Sequence, residues 1–292
     1  MKYIDNFLEY LKVERKYSDN TINSYSEDII ELYNILNKNL ININEEDVSI
    51  YLTYLYDKEL NKNTIARKLS GVRTFYNYLY NHDIVSINYF LDIKNPKKEM
   101  KLPNYLKDTE IDKLFNIPDT SNPLGQRNLL IIEMLYATGV RVSELVNIKI
   151  KDIDKYNDSI KIMGKGSKER IVFYGSKCKS ILNKYLSDGR IKLDKYNSEY
   201  LFLNKNGNRL SDRMIRNILD DLILKAGVSK HTHPHMIRHT FATDMLNGGA
   251  DLMTVKELLG HENINTTSIY THVTDEQIRK IYDNCHPRAK ER

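Results

Sequence analysis

Ile148-Lys149-Ile150-Lys151-Asp152-Ile153, Ser159-Ile160-Lys161-Ile162 and Arg170-Ile171-Val172-Phe173 are three short runs rich in β-branched and aromatic residues. Asn157-Asp158 separates the first two, and Gly164-Lys165-Gly166-Ser167-Lys168 lies in the connection between the second and third. Runs of this length bounded by turn residues predict strands joined by tight connections, hence a small three-stranded antiparallel sheet. On both sides of them the apolar residues recur at three- and four-residue steps, which is the period of a helix. Upstream, helices are predicted over 109–116, 124–136 and 142–147; downstream, over 177–186, 211–226, 235–247, 252–259 and 274–283. A few strands inside a helical chain make a mainly α protein.

Further upstream, Asn95-Pro96-Lys97-Lys98-Glu99-Met100-Lys101-Leu102-Pro103 has two prolines and no apolar period, and reads as a linker. Before it, four helices are expected. Phe7, Leu8, Leu11 and Val13 mark the first; Ile22, Tyr25, Ile29, Ile30 and Tyr33 the second, with Ser18 as N-cap; Glu45 to Tyr56 the third; Leu69, Val72, Phe75, Tyr76 and Leu79 the fourth. With 292 residues and about 150 per domain, two domains are expected. They are an all-helical one over 1–95, a linker over 96–106 and a mostly helical one carrying the sheet over 107–292. No internal repeat is visible.

Hydrophobic residues make up 41% and charged residues 28% of the chain, which excludes collagen-like and wholly disordered classes. No stretch reaches the roughly 18 apolar residues of a membrane span, and the start Met1-Lys2-Tyr3-Ile4-Asp5 has no apolar leader, so a cytoplasmic, non-membrane protein is expected. Cys178 and Cys285 are too few and too far apart for a disulfide framework or a four-ligand zinc site. The net charge of +5 is unevenly spread: residues 1–100 hold 13 Lys/Arg against 15 Asp/Glu, and the basic excess falls in the rest. That distribution is equally compatible with a solvated surface and with a polyanionic partner.

Seven of the eight histidines lie in the last 62 residues. His235 and His239 stand one helical turn apart, as in zinc-binding helices, but no Glu follows His235 and no third ligand is evident, so no metal is expected. A phosphate-centred reading uses more residues. His235 and Arg238 share one side of a helix. Arg141 follows Thr138-Gly139-Val140 at a turn into a helix, where backbone N–H groups favour an anion. Lys165 stands between two glycines. Leu259-Gly260-His261 ends a helix, and Tyr270 follows His261 by nine positions. Guanidinium forks match phosphoryl oxygens, and fixed donors stabilise the charge that develops on them. Each member alone has an ordinary reading: Arg141 as a salt bridge to Glu144, Lys165 as a turn lysine, Tyr270 as a surface or core tyrosine.

Taken together, these residues resemble the tyrosine recombinases (phage-integrase-like), of the Xer type. Ala137-Thr138-Gly139-Val140-Arg141-Val142-Ser143-Glu144-Leu145 is similar to the family's first arginine box, and Gly164-Lys165-Gly166-Ser167-Lys168-Glu169-Arg170 to its hairpin lysine box. His235-Met236-Ile237-Arg238-His239 resembles the His-x-x-Arg box, Leu259-Gly260-His261 the second histidine box, and Tyr270 stands at the nucleophile position. The resemblance spans essentially the whole chain, and His286-Pro287-Arg288-Ala289 is similar to the Xer C-terminus.

The resemblance implies a core-binding N-terminal domain and a catalytic C-terminal domain acting on double-stranded DNA without metal, ATP or other cofactor. Tyr270 would attack a backbone phosphate to give a 3′-phosphotyrosyl link, with His235 taking its proton, since a free phenol has a pKa near 10. Arg141, Arg238 and His261 would hold the phosphate, and Lys165 would protonate the leaving 5′ oxygen. His239 is given a packing role. DNA contacts are expected from Ser18, Thr21, Arg67, Lys68, Ser70 and Arg73 in the first domain and from Lys168, Arg170, Arg213 and Arg216 in the second. The segment after Tyr270 is expected to dock on a neighbouring protomer, giving a tetramer of one recombinase or of a pair, with a DNA translocase as a further, activating partner. Chromosome dimer resolution is the expected role. An integrase or transposon resolvase, a type IB topoisomerase, and a non-catalytic DNA-binding protein with a helix-turn-helix over Ala242–Leu259 remain open at this point.

Overall fold

The computed structural model describes residues 2–96, 105–164, 169–228, 234–260 and 274–289. The chain divides into two units, Met1–Lys101 and Leu102–Arg292.

The first unit is built from α1 (Lys2–Val13), α2 (Asp19–Leu36), α3 (Glu45–Asp57) and α4 (Lys62–Asn81). α2, α3 and α4 each begin where a side chain satisfies a free N–H group of the first turn. Ser18 accepts from the Thr21 N–H, and Asn44 and Asp47 form a reciprocal capping box at the start of α3. Ile4, Phe7 and Leu11 of α1 pack with Leu69, Val72, Phe75 and Tyr76 of α4 in one core. The rings of Phe7 and Phe75 meet edge to face at 5.2 Å, and Tyr76 donates its buried hydroxyl to the Leu40 carbonyl at 2.8 Å.

The second unit is organised around α6 (Pro123–Thr138). Asn122 caps it by accepting from the Gly125 N–H at 2.8 Å, Pro123 occupies the first turn, and every residue from Leu130 to Thr138 is buried. A helix buried on all sides is a core element, and α6 packs against α5 (Asp108–Asn116), α8 (Ser176–Lys184), α10 (Asp212–Lys225) and α11 (Pro234–Asn247). The remaining helices are α7 (Val142–Leu145), α9 (Arg190–Leu193), α12 (Leu252–Leu259) and α13 (Asp275–Cys285). Strands β1 (Ile153–Asp154), β2 (Ser159–Met163) and β3 (Glu169–Phe173) form an antiparallel sheet in the order β1-β2-β3. Ile160, Ile162 and Val172 face the core, whereas Lys161, Met163 and Ile171 are exposed.

Three expectations are corrected. The run 148–153 is a strand only from Ile153. Its first half pairs elsewhere, with Ile150 N–H donating to the Glu199 carbonyl and Leu201 N–H to that of Ile148, both at 2.9 Å, and Ile150–Asp152 is a 3-10 turn. The helix predicted over 177–186 continues to Leu193 through a π turn at Tyr185–Gly189, where Gln126 accepts from the Gly189 N–H. Leu106, at the end of the predicted linker, is buried and its N–H donates to Thr240 at 2.9 Å, so it belongs to the core of the second unit.

The C-terminal segment is seated on its own unit. Ile278 and Tyr282 of α13 are buried with Phe241 and Met245 of α11, and the His286 ring stacks on Tyr282 while its Nε2 meets the Tyr136 carbonyl. Burial drives the His286 pKa down to about 4, so the ring is neutral. Arg288 forks onto both oxygens of the fully buried Glu133, at 2.9 and 2.7 Å. Removing one partner of such a pair strands the other charge, so Arg288→Ala should cost about 3 kcal/mol at neutral pH. Burial already pushes the Glu133 carboxyl above its usual range against the pull of Arg288. A carboxyl raised in the folded state destabilises increasingly as pH rises through its unfolded value. The deficit, read by urea unfolding, should therefore be smaller at pH 5 than at pH 7.5.

Candidate active site

The end of α6, the start of α7 and the end of α12 converge on one spot, and two glycines make the convergence possible. Gly139 terminates α6 with φ +61°, and a Cβ there would stand 2.5 Å from the Phe241 ring and 2.9 Å from Leu259. Gly260 terminates α12 with φ +64° and lies flat against the Arg170 side chain.

Arg141 caps α7. Its N–H and its Nη1 both donate to Glu144, at 2.8 Å each, and its Nη2 reaches the Gly260 carbonyl at 3.4 Å. The salt bridge to Glu144 is thus real, and it leaves the Arg141 side chain 35% exposed, with donors to spare. Glu144 is buried and serves Arg170 too, which places Nη1 and Nη2 on the two carboxylate oxygens at 2.9 and 2.8 Å. Burial pushes the Glu144 carboxyl up, but the N–H groups of Arg170 and Arg141 outweigh it and hold the group below its usual range.

Arg238, on α11, is 8% exposed. Its Nη1 donates to the Gly139 carbonyl at 2.5 Å and its Nη2 to the Leu259 carbonyl at 2.6 Å. Burial, then the proximity of Arg141, lowers its pKa to about 10, and it stays charged at neutral pH. Among the described residues, two guanidinium groups therefore share one carboxylate, and a third, that of Arg238, lies close enough for its charge to be felt. Backbone carbonyls satisfy their N–H groups but carry no net charge, so the cluster retains an excess of positive charge in a partly dry place. Such a cluster binds anions, and its forks suit phosphate oxygens.

His235, in the first turn of α11 one turn before Arg238, is exposed. His239 is exposed as well, which corrects its expected packing role: the buried face of α11 is formed by Met236, Ile237, Thr240 and Phe241. Lys165, Lys168, His261 and Tyr270 lie outside the described residues. Lys165 and Lys168 belong to the connection that follows the Met163–Glu169 pair of β2 and β3, and His261 directly follows Gly260. Among the described residues no three His, Cys, Asp or Glu side chains approach closely enough to hold a metal ion, and no helix is long and apolar enough to cross a membrane.

The expected DNA contacts separate into two groups. Arg213 and Arg216 are exposed on α10, without an ion pair among the described residues. Others are committed inside the protein. Arg170 is only 15% exposed, and its donors are taken by Glu144 and the Leu258 carbonyl, so it is not placed to meet a duplex. Arg73 ties α4 to the following loop through the carbonyls of Phe90 and Ile93. Arg67 forks onto the fully buried Asp28 at 2.6 and 2.9 Å, and Lys68 pairs with Asp28 and Glu31. Arg67 keeps 44% of its side chain exposed. Ser18 and Thr21 bond each other at 2.9 Å, half-buried, and Ser70 is half-buried on α4. Sequence reasoning missed Glu144 as the shared centre and Asp28 as the counter-charge of α4. The Arg141-x-x-Glu144 capping spacing signals the first; Asp28 carries no local signal, because its partners lie 39 and 40 residues away.

Residues 104–277 match the model of the phage integrase family, and residues 4–83 match that of the phage integrase N-terminal SAM-like domain. The chain is 46% identical to the tyrosine recombinase XerC of Bacillus pumilus, over 98% of this chain and 96% of that protein. It is 44% identical to the XerC of Oceanobacillus iheyensis over the same shares. Among solved structures, the XerA recombinase is 32% identical, covering 99% of this chain and 100% of that one, with a TM-score of 0.51. XerH bound to a palindromic difH substrate in a post-cleavage complex is 26% identical, covering 96% and 84%, with a TM-score of 0.72.

Proposed function

The chain belongs to the phage integrase family, as a tyrosine recombinase of the Xer type, and from that premise we propose how its own residues cut and rejoin DNA. The observation that carries the reading is the grouping of Arg141 and Arg170 on the Glu144 carboxylate with the buried Arg238 beside them, held by the Gly139 and Leu259 carbonyls. Arg141 and Arg238 hold the non-bridging oxygens of the scissile phosphate, and His261 adds a hydrogen bond. The Tyr270 oxygen bonds to phosphorus and the bond to the 5′ oxygen breaks. The phenolic proton passes to His235, and the leaving 5′ oxygen takes a proton from Lys165. The 3′-phosphotyrosyl link conserves the bond energy, and a 5′-hydroxyl from a partner strand reverses the step. No metal, nucleotide or other cofactor enters the scheme.

The substrate is a double-stranded recombination site, cut in the cytoplasm, and the near full-length identity to XerC supports chromosome dimer resolution and segregation as the role. Assembly is a tetramer, of one recombinase or of a pair, through the segment after Tyr270, with a DNA translocase as activator. In that assembly α13 exchanges its seat on Phe241 and Met245 for one on a neighbour. On the duplex, Arg213 and Arg216 touch phosphates. Arg213→Ala and Arg216→Ala should each flatten the slope of log affinity against log salt by about one, uniformly across DNA sequences, as gel shifts at several salt concentrations would read.

The deciding experiment incubates the protein, in EDTA, with nicked duplexes carrying a Xer recombination site, and resolves the products on a denaturing gel. A covalent band with wild type and none with Tyr270→Phe supports the reading. Binding without a covalent band favours a DNA-binding protein instead.

A further inference from the structure

Arg170 sits where the elements carrying three of the catalytic boxes meet. It stands on β3, five residues beyond Lys165. Its two terminal nitrogens grip both oxygens of Glu144, the carboxylate that also holds the backbone and side chain of Arg141. Its Nε donates to the Leu258 carbonyl at 3.2 Å, three residues before His261. The side chain lies flat on Gly260, where a Cβ would stand 3.2 Å from its Cδ, Nε and Cζ.

This geometry has an electrostatic consequence. A lone Glu144 facing Arg141 would draw the whole guanidinium into a closed bidentate pair and leave few donors for a ligand. Because Arg170 occupies both carboxylate oxygens, Arg141 gives Glu144 only one terminal nitrogen, and its Nη2 is held toward Gly260 at the long distance of 3.4 Å. Only a planar fork can grip two oxygens and a carbonyl at once; a lysine cannot.

We propose that Arg170 is a positioning residue for DNA cleavage: by sharing Glu144 and anchoring the end of α12, it holds Arg141 with its free donors toward the scissile phosphate. The inference rests on the phosphate-pocket reading above and assigns Arg170 no contact with DNA.

The test uses the full chain and a nicked duplex in which sulfur replaces the bridging 5′ oxygen at the scissile position. A thiolate leaves without a proton from Lys165, so slow variants stay measurable and effects routed only through the lysine hairpin are bypassed. Single-turnover covalent attachment is measured for wild type, Arg170→Gln, Arg170→Lys, Arg141→Ala and the Arg141→Ala/Arg170→Gln double variant. Arg170→Gln and Arg170→Lys should each be slowed about 30-fold or more, with an unchanged salt slope of binding. The double variant should be no more than about threefold slower than Arg141→Ala alone, because Arg170 acts through Arg141. Losses that multiply in the double variant mean a general structural role and overturn the proposal. So do a salt slope reduced by about one, which marks a phosphate contact, and a wild-type rate in either Arg170 variant. If wild type itself forms no covalent complex on this duplex, the phosphate-pocket reading fails first and takes this inference with it.

Discussion

Arg238→Lys should slow covalent attachment to DNA by about two to three orders of magnitude, measured as single-turnover formation of the protein–DNA adduct, while duplex affinity falls only a few-fold. Arg238 is buried, and its two terminal nitrogens are held by the carbonyls of Gly139 and Leu259. A guanidinium fixed in that way presents its remaining N–H groups at set angles and pays little reorganisation when charge develops on the phosphate. An ammonium in its place is a point charge on a flexible stem, and it leaves one or both carbonyls without a donor. Loss of one preorganised donor at a charged transition state typically costs factors of about 100 to 1,000 in rate. Affinity moves less because many phosphate contacts share it. An unfolding midpoint close to wild type would show that the loss belongs to chemistry; a near-normal cleavage rate would remove Arg238 from the phosphate clamp.

Tyr270→Phe should give no detectable covalent adduct at any time or pH, while gel shifts show duplex binding within a few-fold of wild type. Only the phenolic oxygen is removed, and no other group is assigned to attack phosphorus. Any residual DNA scission in this variant should leave no protein attached, which a denaturing gel distinguishes directly. A persistent adduct would move the nucleophile to another residue.

The fold was legible in the sequence wherever one local pattern decided the structure. The β-branched runs bounded by Asn157-Asp158 and by the glycine-containing connection at 164–168 mark strands β2 and β3, and the three- and four-residue apolar period marks the helix over 124–136 that is the core helix α6. The first strand was misjudged because Ile148–Ile150 pair with residues 199–201, a partner some fifty positions away that no local window contains. The same limit applies to the site. Arg141 and Arg238 stood out through the chemistry of their neighbours in sequence, and the structure brings both to the junction of Gly139, Leu259 and Gly260. The reading of Arg170 and Arg73 as DNA contacts takes charge in the sequence for charge on the surface, whereas Arg67 is paired yet 44% exposed. Their counter-charges and carbonyl partners come from other elements, and only the folded chain shows that these donors are already spoken for.

The pairing of α4 with α2 also bears on how the protein searches DNA. Arg67 and Lys68 face Asp28 and Glu31, so this four-charge group is neutral as a whole. A neutral face exerts little long-range pull on arbitrary duplex, and each phosphate it meets must compete with a carboxylate that is already in place. Encounters through this face should be brief at sites that offer nothing else, leaving dwell time to be decided by contacts made only at the right sequence. On the proposed DNA complex its acids would act as a brake on indiscriminate adhesion, trading raw affinity for a faster turnover of wrong sites.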